Sequence, residues 1–317
     1  VSSLQGIRQK ALDALGHRES GEPNDARVTV QGGIGNAHED RLLREHYQVD
    51  GTGWGSPFLY VPEVVNIDRE SLKRLKAAGE NEIFLSNSSP LGVPFWNLRT
   101  STSEDLRRQR VEDGKPGSKC PKGFLVSNVE YTDKPLCTAT SAYQRRKLNE
   151  ISGTVMSVED RDAAQNKVFD KACLCRDLAG SYTHDKGIEP DFPSAVCCGP
   201  NAAYYHEETT LDGIVDHIYG RANLPMSVDR PHMLLKELKL NLDNLRSDIA
   251  QHKREVTASL TRSIEQCRDN LQSGIQHYRE LADKIIAPHR DAFVKALEGF
   301  QAELTQINQL APIAVAV

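Results

Sequence analysis

The sequence predicts an α/β protein whose N-terminal end carries crossover-connected strands, followed by an irregular region and then by helices. Three observations lead there. Helix and strand patterns alternate over residues 1–62, Cys, Pro and Gly residues break up residues 63–225, and apolar residues at helical spacing run through residues 226–317. A helix–strand–helix–strand order implies parallel strands joined by crossovers.

In the first region Leu4, Ile7, Ala11, Leu12 and Leu15 fall on one helical face, and the polar residues 16–26 read as a loop around Gly16, Gly21 and Pro23. VTVQ reads as a short strand, AHEDRLLREHY as a helix with acidic residues in its first turn, and VDGTGWGSPFL as a strand interrupted by glycines. The middle region contains NSSPLGVPFWNLR, EDGKPGSKCPKGFL, KACLCRDLAG and SAVCCGPNAAYY, too rich in Pro and Gly to be all helix. It reads as a largely loop-built extension with helices at residues 69–77, 103–111 and 211–219. The last region carries Leu235, Leu238, Leu242, Leu245, Ile249, His252 and Val256 on one stripe, which resumes in a shifted register from Ile264 to Ile285. A break at Pro288 precedes a second stripe through Phe293, Leu297, Phe300, Leu304 and Ile307, so the expectation is an amphipathic helical hairpin.

Composition narrows the function. The net charge is −5 over 317 residues, without a basic block, which argues against a general nucleic-acid binder. No stretch approaches the apolar length of a membrane span, and the N-terminus lacks the pattern of a secretory signal, so a cytoplasmic location is expected. Seven cysteines, an odd number in a chain this long, do not read as a secreted disulfide framework.

Two motifs carry candidate chemistry. A glycine pair at a strand end lets the backbone turn sharply and approach a bound group, and a helix starting at once aims amide hydrogens at the same place. VQGGIGNAHEDRLL has both features, and GTGWGSPF adds a second amide-rich turn with the Ser56 hydroxyl. Neighbouring turns of this kind form phosphate sites in parallel eight-stranded barrels. The second motif is Cys120, Cys137, Cys173 and Cys175, spaced C-x16-C-x35-C-x-C in a region with little regular structure to stabilise it. Four thiolates suit tetrahedral zinc or an iron–sulfur cluster, although no paired C-x2-4-C knuckles occur. Cys197 and Cys198 are alternative ligands, reduced buried thiols are the other reading, and Cys267 reads as packing.

The run VQGGIGNAHEDRLLREHYQVDGTGWGSPFL resembles the closing strand, helix and strand of the nitronate monooxygenase, or 2-nitropropane dioxygenase-like, family of flavin barrels. Asp50-Gly51 and Gly55-Ser56-Pro57-Phe58 fall on the family's second glycine pattern. NSSPLGVPFWNLR resembles a segment that follows the barrel, and KACLCRDL a cysteine-containing extension of one branch, so the likeness spans residues 27–200. It implies the last β/α units of a TIM-like barrel whose first six strands precede residue 1. It also implies flavin mononucleotide held by its phosphate near Gly32, Gly33, Gly55 and Ser56, with Gln31 at the strand end facing the flavin ring. The substrate would be a small carbon acid such as a nitronate, or an enoyl thioester. No catalytic base is assigned, since His38 and His46 read as solvent-facing and the family's usual histidine has no counterpart here. On this reading the chain is part of an oxidoreductase and inactive alone. The alternative is a non-enzymatic interaction or scaffold protein that pairs with a partner, or with a second copy, through its C-terminal helices.

Overall fold

β-Branched Thr29 and Val30 favour a short strand, and the residues after it cannot prolong one because Gly32 and Gly33 take positive φ. A computed structural model describes residues 2–14, 16, 27–120, 122–227, 230–254, 256–285 and 289–310. The loop expected at residues 17–26 and the break expected at Pro288 lie outside the described residues. The chain divides into two compact units, Val1–Gly53 with Pro231–Val317, and Trp54–Arg230. The three sequence regions therefore become two units, because the helical C-terminal region packs with the N-terminal strands instead of alone. The described residues are mixed α/β and mostly helical, with no closed barrel.

The first unit begins with α1 (Ser2–Ala14), β1 (Thr29–Gln31), α2 (Ala37–Arg41, continued by a wider π turn over Leu42–His46) and β2 (Gly51–Gly53). β1 and β2 are parallel and end in register, pairing Thr29 with Gly51 and Gln31 with Gly53. The crossover between them is the one the residue order requires.

In the second unit α3 (Arg69–Ala77) precedes an antiparallel pair, β3 (Ile83–Ser86) and β4 (Phe95–Leu98). Then come α4 (Thr102–Glu112), α5 (Ser141–Gly153), α6 (Val158–Phe169), α7 (Leu174–Asp177), α8 (Gly180–Asp185) and α9 (Leu211–Ile218). The expected helices in α3, α4 and α9 are present, but the expectation of a largely loop-built extension does not hold over α5 and α6. Both start at side-chain caps. Thr140 accepts from the Tyr143 amide, while Ser157 accepts from the Asp160 amide and returns its hydroxyl hydrogen to that carboxylate. Their residues are mostly polar, so hydrophobic spacing gives little sign of them. The core of this unit gathers Tyr60, Leu75, Ile83, Leu98, Val196 and Ala202, with the Tyr60 hydroxyl donating to the Ala202 carbonyl at 2.7 Å.

The last region, within the first unit, is three helices instead of a hairpin: α10 (Met233–His252), α11 (Ala258–Leu281) and α12 (His289–Leu310). The register shift in the apolar stripe marks the first break. There Thr257 caps α11 through the Leu260 amide, and buried His252 meets the Thr261 hydroxyl at 3.0 Å. The stripes themselves hold, since Leu242, Leu245, Ile264, Ile275, Leu297 and Leu304 are all fully buried, whereas Val256 at the break is exposed.

Full burial of a Leu or Ile side chain contributes about 1.5–3 kcal/mol, and a cavity adds to the cost of deleting one. Leu245→Ala is therefore expected to destabilise the chain by about 2–5 kcal/mol in urea unfolding, against less than about 0.5 kcal/mol for Val256→Ala. A second test concerns pH. Burial alone would raise the Asp68 carboxyl, but donors from Ser181, Ser71 and Ser194 outweigh it and hold the group below its usual value. A carboxylate depressed in the folded state stabilises above its unfolded value of about 4 and loses that contribution as pH falls through the folded value. The stability gap between wild type and Asp68→Asn should be full at pH 7 and close steadily below about pH 4 in urea titrations. A gap that stays constant through the acid range would contradict the assignment.

Candidate functional site

The first candidate site is the turn after β1. Gly32 and Gly33 have φ of 89° and 76°, values an L side chain rarely adopts, so the glycine pair is a backbone requirement. Asn36 begins α2 with an extended backbone, and its Oδ1 accepts from the amides of His38 and Glu39 at 3.0 Å each. Glu39 is buried, and its two carboxylate oxygens accept from the Gly35 amide at 2.8 Å and the Met233 amide at 2.9 Å. Of the amide groups expected to face an anion, those of Gly35, His38 and Glu39 thus have acceptors from the chain's own side chains. Gln31 is exposed at the end of β1, and its side chain lies across Gly53, where any Cβ would collide with it. His38 is exposed, and burial followed by the Arg41 charge lowers its pKa. His46 is partly buried and meets Lys284 Nζ through Nδ1 at 2.5 Å, so only His38 matches the solvent-facing expectation.

The two glycine turns belong to different units, and each has its own local partners. Gly55, exposed, accepts from the Phe58 amide at 3.1 Å as the start of a 3-10 turn over Ser56–Tyr60. The Ser56 hydroxyl rests against Gly199, where a Cβ would overlap it.

The second candidate site is a pocket inside the second unit. Cys120, Cys137, Cys173 and Cys175 all line it, together with Ser118 and Thr140. Local backbone chemistry brings these distant positions together. Ser118 pairs with Thr140 as a parallel bridge, donating its amide to the Ala139 carbonyl at 2.9 Å and accepting from the Ser141 amide at 3.0 Å. This approach needs Gly117, with φ 78°, because a Cβ there would stand 2.6 Å from the Ser141 nitrogen. Lys171 Nζ donates to the carbonyls of Asn87 and Ser89, and the Ala172 amide to that of Ser88, which pins the Cys173–Cys175 segment. Thr138 Oγ1 donates to the Pro90 carbonyl at 3.2 Å and fixes the segment of Cys137.

The Gly123 amide donates to Cys120 Sγ at 3.3 Å. The thiols of Cys173 and Cys175 are hydrogen-bond neighbours, and burial, with Asp177 beside it, pushes the Cys173 thiol up to about 12. Burial also raises the Cys137 thiol. All seven cysteines carry free thiols. Cys197 is exposed and Cys198 is buried in the Tyr60 core, so neither offers a fifth or substitute thiol to the pocket. Cys267 sits on α11, its thiol 4.0 Å from the Asn241 carbonyl. Among the described residues no three His, Cys, Asp or Glu side chains already stand in position to hold a metal ion, and no helix is long and apolar enough to cross a membrane.

Comparison with family profiles, curated proteins and solved structures finds no match to this chain. The resemblance to flavin barrels accordingly rests on the motifs quoted above.

Glu39, the acceptor inside the turn, was not among the residues expected there. The signal is the Asn36-x-x-Glu39 spacing, a capping-box pattern that places an acid where it reaches back over the helix start. Glu39→Ala would leave the Gly35 and Met233 amides without this acceptor, and a buried donor stripped of its partner costs about 1–3 kcal/mol. The expected result is a loss of that order in urea unfolding and faster hydrogen exchange at both amides. Unchanged exchange there would show that the carboxylate is not what holds the turn.

Proposed function

We propose that this chain supplies the closing strand–turn–helix–strand of an FMN-dependent oxidoreductase resembling the nitronate monooxygenases. The remaining strands of a TIM-like barrel would come from chain before residue 1. The observation that carries this reading is the parallel β1–β2 pair, ending in register, whose first strand runs straight into the left-handed Gly32–Gly33 turn and an Asn36-capped helix. A turn without Cβ atoms suits a phosphate, because the peptide itself can approach the oxygens. Gly32 and Gly33 would hold the phosphate end of the flavin and Gln31 would face its ring, while the family resemblance also gives Gly55 and Ser56 as phosphate donors. Bound FMN would provide the redox chemistry. The substrate class is a small carbon acid such as a nitronate, or an enoyl thioester, and the setting is the cytosol, where free thiols persist.

The alternative, partner binding through the C-terminal helices, draws less support. The apolar stripes of α10, α11 and α12 are buried within their own unit, so they do not form an exposed docking face. On this reading two strands cannot close a barrel, and residues 1–317 alone would lack the walls and the proton-transfer group that turnover needs.

Both halves of the reading are testable together. Residues 1–317 should bind FMN weakly and give no nitronate oxidation or enoyl reduction, whereas the upstream-extended protein should retain flavin and turn over. In the extended protein Gly33→Val, which cannot take the required φ without strain, should lose bound flavin while far-UV circular dichroism is unchanged. Retained yellow colour and flavin fluorescence in that variant, or turnover by the short chain at the extended protein's rate, would overturn the proposal.

A further inference from the structure

Four cysteines from three separated segments line one pocket, and the remaining three cysteines lie elsewhere. Such a grouping has no packing explanation of its own, since a small apolar residue fills space as well and Ala139 already does so in the same lining. We infer that Cys120, Cys137, Cys173 and Cys175 form a four-thiolate centre for a thiophilic metal, zinc(II) or an iron–sulfur cluster. This site is independent of the flavin reading, because it lies wholly within the second unit and uses none of the glycine-turn residues.

Charge supports the assignment. Zinc(II) on four thiolates carries two negative charges, and so does an oxidised four-iron cluster on the same ligands. The surroundings offer the counter-charge. Lys119 lines the pocket, and Arg110 and Arg176 both lie within electrostatic range of Cys173. Arg176 Nη2 is 2.7 Å from Asp177 Oδ1, so one cation is offset and two positive charges remain for the centre. Arg110 also donates to the Ser118 hydroxyl, which fixes its guanidinium at the pocket edge. The Gly123 amide on Cys120 Sγ, and that of Ala139 on Cys137, supply the N–H···S bonds that stabilise thiolates and tune metal centres.

Geometry limits what must move. No three of the thiols yet stand in position to hold one metal ion, and binding would re-aim each sulfur about the cysteine's single side-chain torsion. Binding would release the thiol protons to solvent, with no change in the oxidation state of zinc. The centre would also staple segments 118–123, 137–140 and 172–177, which are otherwise joined by hydrogen bonds between loops.

The test uses the 317-residue chain purified without oxygen and analysed for metals and inorganic sulfide. Near-stoichiometric zinc in colourless protein identifies zinc as the occupant. Iron with matching sulfide and a brown colour identifies the cluster. Either result supports the centre, provided that Cys173→Ser with Cys175→Ser loses the metal and Cys267→Ser keeps it. Should the double variant fail to fold, wild-type protein decides the matter. Chelation should expose Cys120, Cys137, Cys173 and Cys175 to alkylation while Cys197 labels equally before and after. Added cobalt(II) should give intense thiolate charge-transfer bands. Metal-free protein that shows no cobalt–thiolate bands, disulfides among these four cysteines, or an alkylation pattern indifferent to chelator would overturn the inference.

Discussion

In the second unit Asp68 accepts from the Ser71 amide at 2.9 Å and from the hydroxyls of Ser181 and Ser194, residues 113 and 126 positions away in the chain. Glu104 does similar work. It accepts from Asn97 Nδ2 at 3.0 Å and is paired with Arg107, which in turn donates to the Phe169 carbonyl. Asp177 accepts from the Ser103 hydroxyl at 2.6 Å and pairs with Arg176. These three acids are all buried, and each joins segments that share no helix or sheet ladder. A chain with few strands has to satisfy its buried donors by other means, and a carboxylate is the side chain with the most acceptor capacity. The architecture of this unit depends on that constraint.

The cysteine pocket inherits its shape from the same arrangement. Asp177 ends the short helix that Cys173 begins, and the Ala195 amide donates to the Asp177 carbonyl at 2.8 Å. The segment carrying two of the four thiols is thereby held at both ends, by Lys171 on the loop at Asn87–Ser89 and by Asp177 on α4. Removing such an acid would cost more than its own bonds, because the donors it serves would remain buried. In the first unit Glu39 plays the same part between the turn after β1 and the start of α10.

The two sites differ in what they ask of a ligand. At the turn after β1 the backbone is already shaped by Gly32 and Gly33, while several neighbouring amides are occupied from within, so an anion there would rely on the peptide of the turn. At the pocket the ligand atoms are present but not converged, and a bound metal would complete local structure. The first arrangement positions a group, and the second would couple binding to stability.

Much of this was legible in the residues themselves. Period fixes faces: Leu235, Leu238, Leu242 and Leu245 had to share one side of a helix, and Thr29–Gln31 followed by two glycines had to be a strand that stops. The grouping of Cys120 with Cys137, Cys173 and Cys175 could be raised from their isolation in an irregular region, but not decided, since spacings of sixteen and thirty-five residues fix no distance in space. The polar helices α5 and α6 stayed hidden because their capping residues, Thr140 and Ser157, carry the signal that hydrophobic spacing lacks. Local residue chemistry leaves a single choice at the positive-φ glycines, the caps and the apolar stripes. Long-range packing settles which stripes lie together, that the C-terminal helices join the N-terminal strands, and which four of the seven thiols line one pocket. Those outcomes depend on contacts between residues far apart in the chain, and local chemistry does not encode which partner satisfies a buried group.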